Sequence, residues 1–568
     1  MKKLLLITVC LLFSMQSWTT PVREFRATWI ATVSNIDWPK TKITIPGSFT
    51  QITAQQNELI TILDSLVAAN MNAALLQIRP MADALYSTKI TCWSAYLTGQ
   101  RGVNPGYDPL AFAIEEAHKR GLELHGWMNP YRYANASNRH ASTDYLKVQH
   151  PEWLLGINTD TIMDPGLPAV RKHIANVTKE VLINYPDIDG IIWDDYFYIE
   201  SIGSGNQDQA TYLAYNPDNL SLVDWRRDNV NRTVQEVFDT IQSVNPGVRF
   251  GISPRGIWST SVAAAQKYGV TLPTGITGSD NYNAIYCDAL AWLKAGSIDY
   301  ISPQLYWATT STGQDYDVLA PWWQSVAARY GRHFYASQAL YKNEWDYAET
   351  GLQIDDNRNA DNVAPGSIFY NTSSFSQRAF PSYLRANAFS TKILPPVISW
   401  YPSQASSVYN VGLSGNSINW QCAMTEGSYG IYAVPNQSVG YNEFSAFDHL
   451  LTRTWSPSKT YDLSAYSALF TTHQFAVAAI DRFENQSEPV YVSSTGSDYL
   501  TGNKYPSFVF FTTDDILTVQ VRNTTVVAVF SIDGTCFYQG KVTGELTLRL
   551  PRGLYIVRIG MSTEKIVI

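Results

Sequence analysis

At 568 residues the chain exceeds one ordinary domain, and its length suggests about three or four. The formal net charge of −8 is modest and no basic stripe appears, which argues against a nucleic-acid partner. Cys92, Cys287, Cys422 and Cys536 lie far apart without a CxxC pair, so neither a zinc site nor a disulfide scaffold is indicated.

The amino terminus reads "MKKLLLITVCLLFSMQSWTT", two lysines and an apolar run through Phe13. It predicts a secretory signal peptide over residues 1–19, and hence export to the periplasm, the outer-membrane surface or the medium of a Gram-negative bacterium. Lipidation at Cys10 is the weaker reading, because Val9 stands where a small residue is wanted. No later segment approaches the ~18 apolar residues of a membrane span.

From Phe25 to about Leu394, short β-like runs alternate with helical ones. The predicted strands are 25–33, 72–79, 122–128, 189–195, 248–254, 299–307, 332–341 and 366–374; helical spacing marks stretches such as 52–69, 110–120, 169–183 and 284–294. Eight strands with intervening helices predict an α/β fold, a (β/α)8 TIM barrel over 22–394. A doubly wound open sheet is the runner-up, but no GxGxxG or phosphate loop opens a helix. After "LPP" the texture turns all-β. Residues 395–492, with "NSINWQCAM" and "FAVAAIDRFENQSEPV", resemble a fibronectin type III module with Trp420 in its core. Residues 505–568, ending "LRLPRGLYIVRIGMSTEKIVI", resemble the small C-terminal β-sandwiches of exported Bacteroidota proteins, sorting domains included. Two small all-β sandwich domains are therefore expected after the barrel.

Aromatics make 13% of the chain, with 35 Tyr, 22 Phe and 17 Trp. They predict either aromatic cores or platforms for the apolar faces of sugar rings. In a (β/α)8 barrel the working residues sit at the carboxyl ends of the strands. Those ends carry Asp37 and Trp38; Arg79 and Asp83; Trp127, Asn129, Tyr131 and Arg132; Asp194, Asp195, Tyr196 and Tyr198; Ser253, Arg255 and Trp258; Gln304, Tyr306 and Trp307; Gln338 and Tyr341. A polar residue beside an aromatic at almost every end fits a groove for a polyhydroxylated ligand.

"DGIIWDDYFY" is the sharpest feature. Two adjacent carboxyls cannot both ionise freely, so one pKa rises and an acid stands beside a base. Glycoside cleavage needs that pair. The structural alternative is a helix cap or an Arg-paired loop anchor. Carboxyls that act from opposite sides of a bond sit ~5 Å apart in retaining enzymes and ~6.5–9.5 Å apart in inverting ones. Neighbours on one loop suit a third scheme, in which the carbonyl oxygen of a 2-acetamido sugar is the nucleophile. Asp37 and Asp83 serve equally well as internal partners of Arg26 or Arg79, and His125 reads as a core or supporting histidine. Glu200 is an acid or a rim residue.

Several stretches, taken together and in order, resemble the glycosyl-hydrolase-like family 10 barrels. They are "FRATWIATVSNIDWP", "QIRPMADALYSTKITCWSAYLTG", "GYDPLAFAIEEAHKRGLELHGWMNPYR", "HPEW", "DPGLPAVR", "DGIIWDDYFY", "FGISPRGIW" and "YISPQLYW". Ala27, where the family has Gly, and Ile199, where it has Pro, are flanking departures. The resemblance implies a bacterial envelope barrel acting on glycans, some relatives being hydrolases of peptide-free peptidoglycan strands. The paired aspartates also resemble those of O-GlcNAcase-like hexosaminidases, which would make Asp194 the acetamido polariser and Asp195 the acid/base.

The expectation is thus an exported hydrolase of β-linked N-acetylhexosaminyl bonds, without a cofactor or metal, with Asp194 and Asp195 catalytic. Arg26, Asp37, Arg79, Asp83, Asn129, Arg255 and Gln304 would bind hydroxyl, acetamido or lactyl carboxylate groups. Trp38, Trp127, Tyr131, Tyr196, Tyr198, Trp258, Tyr306 and Trp307 would form the sugar platform. A non-catalytic glycan-binding barrel, or a hydrolase of another host or dietary polysaccharide, is the alternative.

Overall fold

The segment FRATWI, Phe25–Ile30 (β1), is buried at every residue rather than at alternate ones, as are Ala73–Arg79 (β2) and Glu123–Met128 (β3). Strands covered on both faces belong to a parallel sheet clad by helices. Five more follow: Gly190–Trp193 (β4), Arg249–Ile252 (β5), Tyr300–Ile301 (β6), the interrupted strand His333–Phe334 and Ala336–Ala339 (β7), and Gly366–Tyr370 (β8).

The computed structural model describes residues 23–138, 140, 144–200, 202–342, 345–361, 364–436, 449–492, 508–513, 516–532, 535–559 and 562–567. The leader expected at 1–19 and the stretch 493–507 lie outside the described residues. From β1 to β7 each strand pairs in parallel with the next in space, and β1 also pairs with β8. β7 holds β6 with its first half and β8 with its second, with only Tyr335 between them. The sheet therefore closes on itself, which gives the expected (β/α)8 barrel and rules out the open sheet.

The connecting helices are Phe49–Ala68 (α1), Pro109–Lys119 (α2), Pro168–Asn184 (α3), Leu222–Val244 (α4), Ala289–Ala295 (α5), Tyr316–Arg329 (α6) and Tyr347–Ala360 (α7), with Phe380–Ala386 (α8) after β8. α2 shows why they form where they do. Asp108 caps it by accepting a hydrogen bond from the Ala111 amide, Pro109 opens the first turn, and Leu110, Ala113, Ile114 and Ala117 make the buried stripe.

The barrel interior is aromatic, with Phe25, Trp29, Trp127, Tyr300 and Tyr335 packed with Ala73, Leu75, Ile192 and Ile368. Glycines on neighbouring strands make the room. A Cβ at Gly251 would lie 2.1 Å from the Tyr300 ring, and one at Gly366 would lie 2.2 Å from the Tyr335 ring. Any larger residue there would expel a ring from the core.

The barrel's compact unit runs to Gln404 and includes two short later segments, Thr452–Trp455 and Ile480–Asn485. These segments meet the amino ends of the strands. Arg453 donates to Glu123, the first residue of β3, at 2.8 Å and to Glu484 at 2.7 Å, and Arg249 at the start of β5 also pairs with Glu123. Trp455 stacks on His118 at 3.9 Å, and His118 bonds to Asp189 at 2.8 Å.

The second unit comprises Ala405–Leu451, Ser456–Ala479 and Gln486–Ile568. Its strands are antiparallel. Val408–Ser414, Ser417–Cys422 and Thr460–Asp462 form one sheet, and a four-stranded sheet carries Ser428–Pro435 and His473–Ile480 at its centre. Trp420, Ile431, Phe475 and Val477 pack together there. The last segment forms one five-stranded sheet around Ile516–Ser531. Among the described residues no helix is long and apolar enough to cross a membrane.

Candidate active site

Residues that face inward along a strand alternate, so the parity that packs Trp29, Trp127 and Ile192 in the interior carries on to the mouth. It brings Asn129 just after β3, Asp194 just after β4, Gln304 after β6 and Tyr370 at the end of β8 to one end. Beneath them lies a closed floor. Trp29 meets Trp127 edge-on at 4.9 Å, the Trp127 indole donates to Asn129 Oδ1 at 3.1 Å, and Ser302 and Ser337 share a hydrogen bond of 2.8 Å.

Asp194 and Asp195 occupy contrasting environments. Asp194 is buried and its Oδ1 has no hydrogen-bond partner. Burial, and then the charge of Asp195 beside it, raise its pKa well above the carboxylate range, against a lowering by Arg132. Asp194 therefore keeps a proton where ordinary aspartates have lost theirs. Asp195 is partly exposed and fixed at both oxygens, Oδ2 accepting from Arg255 Nε at 3.0 Å and Oδ1 from Gln304 Nε2 at 3.1 Å. Arg255 also pairs with Glu200 at the rim. The strand end thus presents a buried carboxyl with a raised pKa beside a second one oriented by Arg255 and Gln304.

Around the pair stand partly buried aromatic rings. Tyr196 lies under the Arg132 guanidinium at 4.1 Å, and Tyr306 stacks near Tyr370 at 5.9 Å and meets Tyr341 edge-on at 6.1 Å. Asp194 is felt electrostatically at Tyr196, Tyr306 and Tyr370. Trp307 is also partly exposed and packs over Gly256. Of the expected residues, the mouth therefore holds Asp194, Asp195, Tyr196, Arg255, Gln304, Tyr306 and Trp307, while Trp127 and Asn129 lie buried in the floor beneath them.

The other expected residues do not line the groove. Arg26 lies near the amino end of β1, fully buried, and donates to Glu24 at 2.7 Å. Asp37 ties loops together, accepting from the amides of Ala31 and Ser373, both at 2.8 Å, and from Asn371. Asp83 is paired with Arg101 at 3.1 Å. Arg79 is fully buried behind a bulge that aligns it with Met128, and its charge acts on Tyr86, Tyr145 and His173 rather than on the aspartates. Trp38 is sealed with its indole donating to Gln55 O at 2.8 Å, and Tyr131, Tyr198 and Trp258 are buried among hydrophobic neighbours outside the barrel. The four rings share one reason. Where a strand ends the alternation lapses, and a large ring gains more by joining the hydrophobic cluster around the barrel than by lying in water.

Tyr370 was missed, although the alternation along Gly366–Tyr370 points it inward with Ile368. Arg132 was placed at a strand end but not in the binding set. It opens a short strand, Arg132–Ala134, that follows the carboxyl end of β3 and pairs with Asp160–Met163. His125 lies inside the barrel between Tyr300 Oη at 2.9 Å and Glu123 at 3.4 Å, a supporting role. Among the described residues no group of three His, Cys, Asp or Glu could hold a metal. A flank recess of about 420 Å³, lined by Arg171, Tyr215, Trp225 and Arg232, holds neither aspartate.

A closed (β/α)8 barrel with an acid and a carboxylate side by side among tyrosine and tryptophan rings has the makeup of a glycoside hydrolase. The chain belongs to the glycosyl hydrolase-like 10 family, whose model matches residues 24–349. It is 39% identical over 396 residues to glycosyl hydrolase YngK of Bacillus subtilis (strain 168), an alignment covering 67% of this chain and 75% of that protein. It is 38% identical over 334 residues to glycosyl hydrolase DigH of Escherichia coli (strain K12), covering 56% and 74%. Among solved structures, an endo-beta-1,4-mannanase from Thermotoga petrophila aligns at 10% identity and a TM-score of 0.36, covering 83% of this chain and 97% of that one.

Proposed function

We propose that this glycoside hydrolase cleaves β-linked N-acetylhexosaminyl bonds in peptide-free peptidoglycan glycan, with Asp194 as the acid and Asp195 as the orienting carboxylate. The observation that carries the reading is the contrast within the pair, a buried carboxyl with an unpartnered oxygen and a raised pKa against one pinned by Arg255 and Gln304. In this order the roles are the reverse of those implied by the hexosaminidase resemblance. Both Asp195 oxygens already accept from Arg255 and Gln304, and their remaining lone pairs can accept the acetamido N–H of a bound sugar.

The acetamido carbonyl oxygen attacks the anomeric carbon as the glycosidic C–O bond breaks, and the Asp194 proton passes to the leaving oxygen. Asp195 stabilises the positive charge that develops on the acetamido nitrogen. Water then adds to the anomeric carbon, returns a proton to Asp194 and reopens the ring. Tyr196, Tyr306 and Trp307 offer faces and edges to the sugars.

The leader pattern at 1–19 supports export. The fibronectin-like 395–492 and the β segment 505–568 are proposed as modules that hold or display the barrel. The test is mass spectrometry of products from peptide-stripped glycan and from intact sacculi, with Asp194→Asn and Asp195→Asn as controls. New reducing-end oligosaccharides from the stripped glycan alone, absent with both variants, are expected. Turnover of a different glycan with the stripped strands untouched would replace the substrate.

A further inference from the structure

The mouth holds two arginines on opposite sides of the aspartate pair, and they are in opposite states. Arg255, after β5, is matched by Asp195 and Glu200. Arg132, after β3, has no carboxylate within 4.0 Å among the described residues. Its guanidinium stacks on the Tyr196 ring at 4.1 Å, and its charge reaches Asp194. A stacked guanidinium keeps its edge N–H groups free for an in-plane acceptor, and those groups match a carboxylate two at a time. The side chain is also held in place. Arg132 pairs with Ile162 in the small sheet, and the Met163 amide donates to Tyr131 O at 2.8 Å. A partly buried cation on a rigid support, one residue type away from neutrality and lacking an anion, is built to receive one from the ligand.

We infer that Arg132 is a specificity-determining residue that binds a sugar carboxylate on the β3 side of the scissile bond, so that the preferred glycan carries an acidic residue beside its N-acetylhexosamine. This rests on the hydrolase reading above and adds a requirement to it. Two chemistries supply such a group, an ether-linked lactyl acid and a C6 uronic acid. Asymmetry between the two arginines then sets direction. The acidic sugar lies toward Arg132, and the side of Arg255, already neutralised, takes a neutral one.

The test measures kcat and KM of the full chain on stripped peptidoglycan glycan, on the same glycan with its carboxyls reduced to alcohols, and on hyaluronan oligosaccharides, for wild type, Arg132→Gln and Arg132→Lys. Reduction of the carboxyls is expected to raise the wild-type KM about ten- to a hundred-fold, the span of a charge-assisted hydrogen bond. Arg132→Gln is expected to raise KM equally on the native glycan, to leave kcat within a few-fold, and to add nothing on the reduced glycan. Arg132→Lys restores part of the loss, because it keeps the charge and loses the fork. Preference for hyaluronan would assign the acid to C6 rather than to the lactyl group. Equal losses on native and reduced glycan, with unchanged Tm, would overturn the inference while the hydrolase reading stands. If wild type cuts none of these glycans, the proposed substrate falls, and calorimetric binding of the same three still decides Arg132. Carboxyl-dependent binding lost in Arg132→Gln supports it, and carboxyl-independent binding removes it.

Discussion

The two ends of the barrel bury carboxyls to the same depth and treat them in opposite ways. At the amino end Glu123 is fully buried, yet its pKa is held well below the usual range. Burial works to raise it, and the charges of Arg249 and Arg453 with the His125 bond outweigh that. At the mouth Asp194 is as deep, its nearest charge is Asp195, and its pKa rises. Glu484 is the exception at the amino end, pushed up to about 7 chiefly by burial, with Glu123 adding to the rise and Arg453 and Arg249 opposing it. Depth sets the stakes, and the sign of the neighbour decides the protonation state.

Breaking each end should therefore have different consequences. The largest effect is expected at the mouth, where Asp194→Asn lowers turnover of the natural glycan by about a thousand-fold or more, near the upper range for losing a general acid, as read by reducing-end formation. At the amino end, Arg453→Met leaves Glu123 and Glu484 short of a cation. It is expected to cost about 3 kcal/mol in denaturant unfolding while kcat of the folded enzyme stays unchanged. The third effect has the opposite sign. The Asp194 carboxyl is raised above its unfolded value of about 3.9, so its contribution to stability is full below that pH and is lost as pH rises through the raised value. Asp194→Asn removes this loss. It should be more stable than wild type at pH 8, with the gain gone near pH 4, as followed by Tm against pH. The smallest effect is expected for Tyr306→Leu, which removes a ring edge from the sugar platform and should raise KM several-fold with little change in Tm.

Much of the barrel was legible because buried parallel strands read as short apolar runs that end in polar residues. All eight appeared in order, with ends drawn too long where the chain leaves the ladder, as after Ile301. The adjacent aspartates were legible for the same reason. The platform was only half legible. Trp38, Tyr131, Tyr198 and Trp258 follow strand ends as Tyr196 and Tyr306 do, and nothing in their local sequence says which rings turn under a helix. Arg132 depends on a small sheet formed with Asp160–Met163, and Glu123 meets Arg453 across 330 residues of chain. Pairings at that separation leave no periodic trace.

The central claim is that Asp194 carries the proton and Asp195 orients the substrate. It is tested most directly by comparing both Asn variants on the natural glycan and on an aryl glycoside of the same oligomer, whose phenol leaves without protonation. The account predicts that Asp194→Asn nearly recovers wild-type rates on the aryl substrate, while Asp195→Asn stays slow on both. Recovery by Asp195→Asn with Asp194→Asn slow on both would contradict it and exchange the two roles.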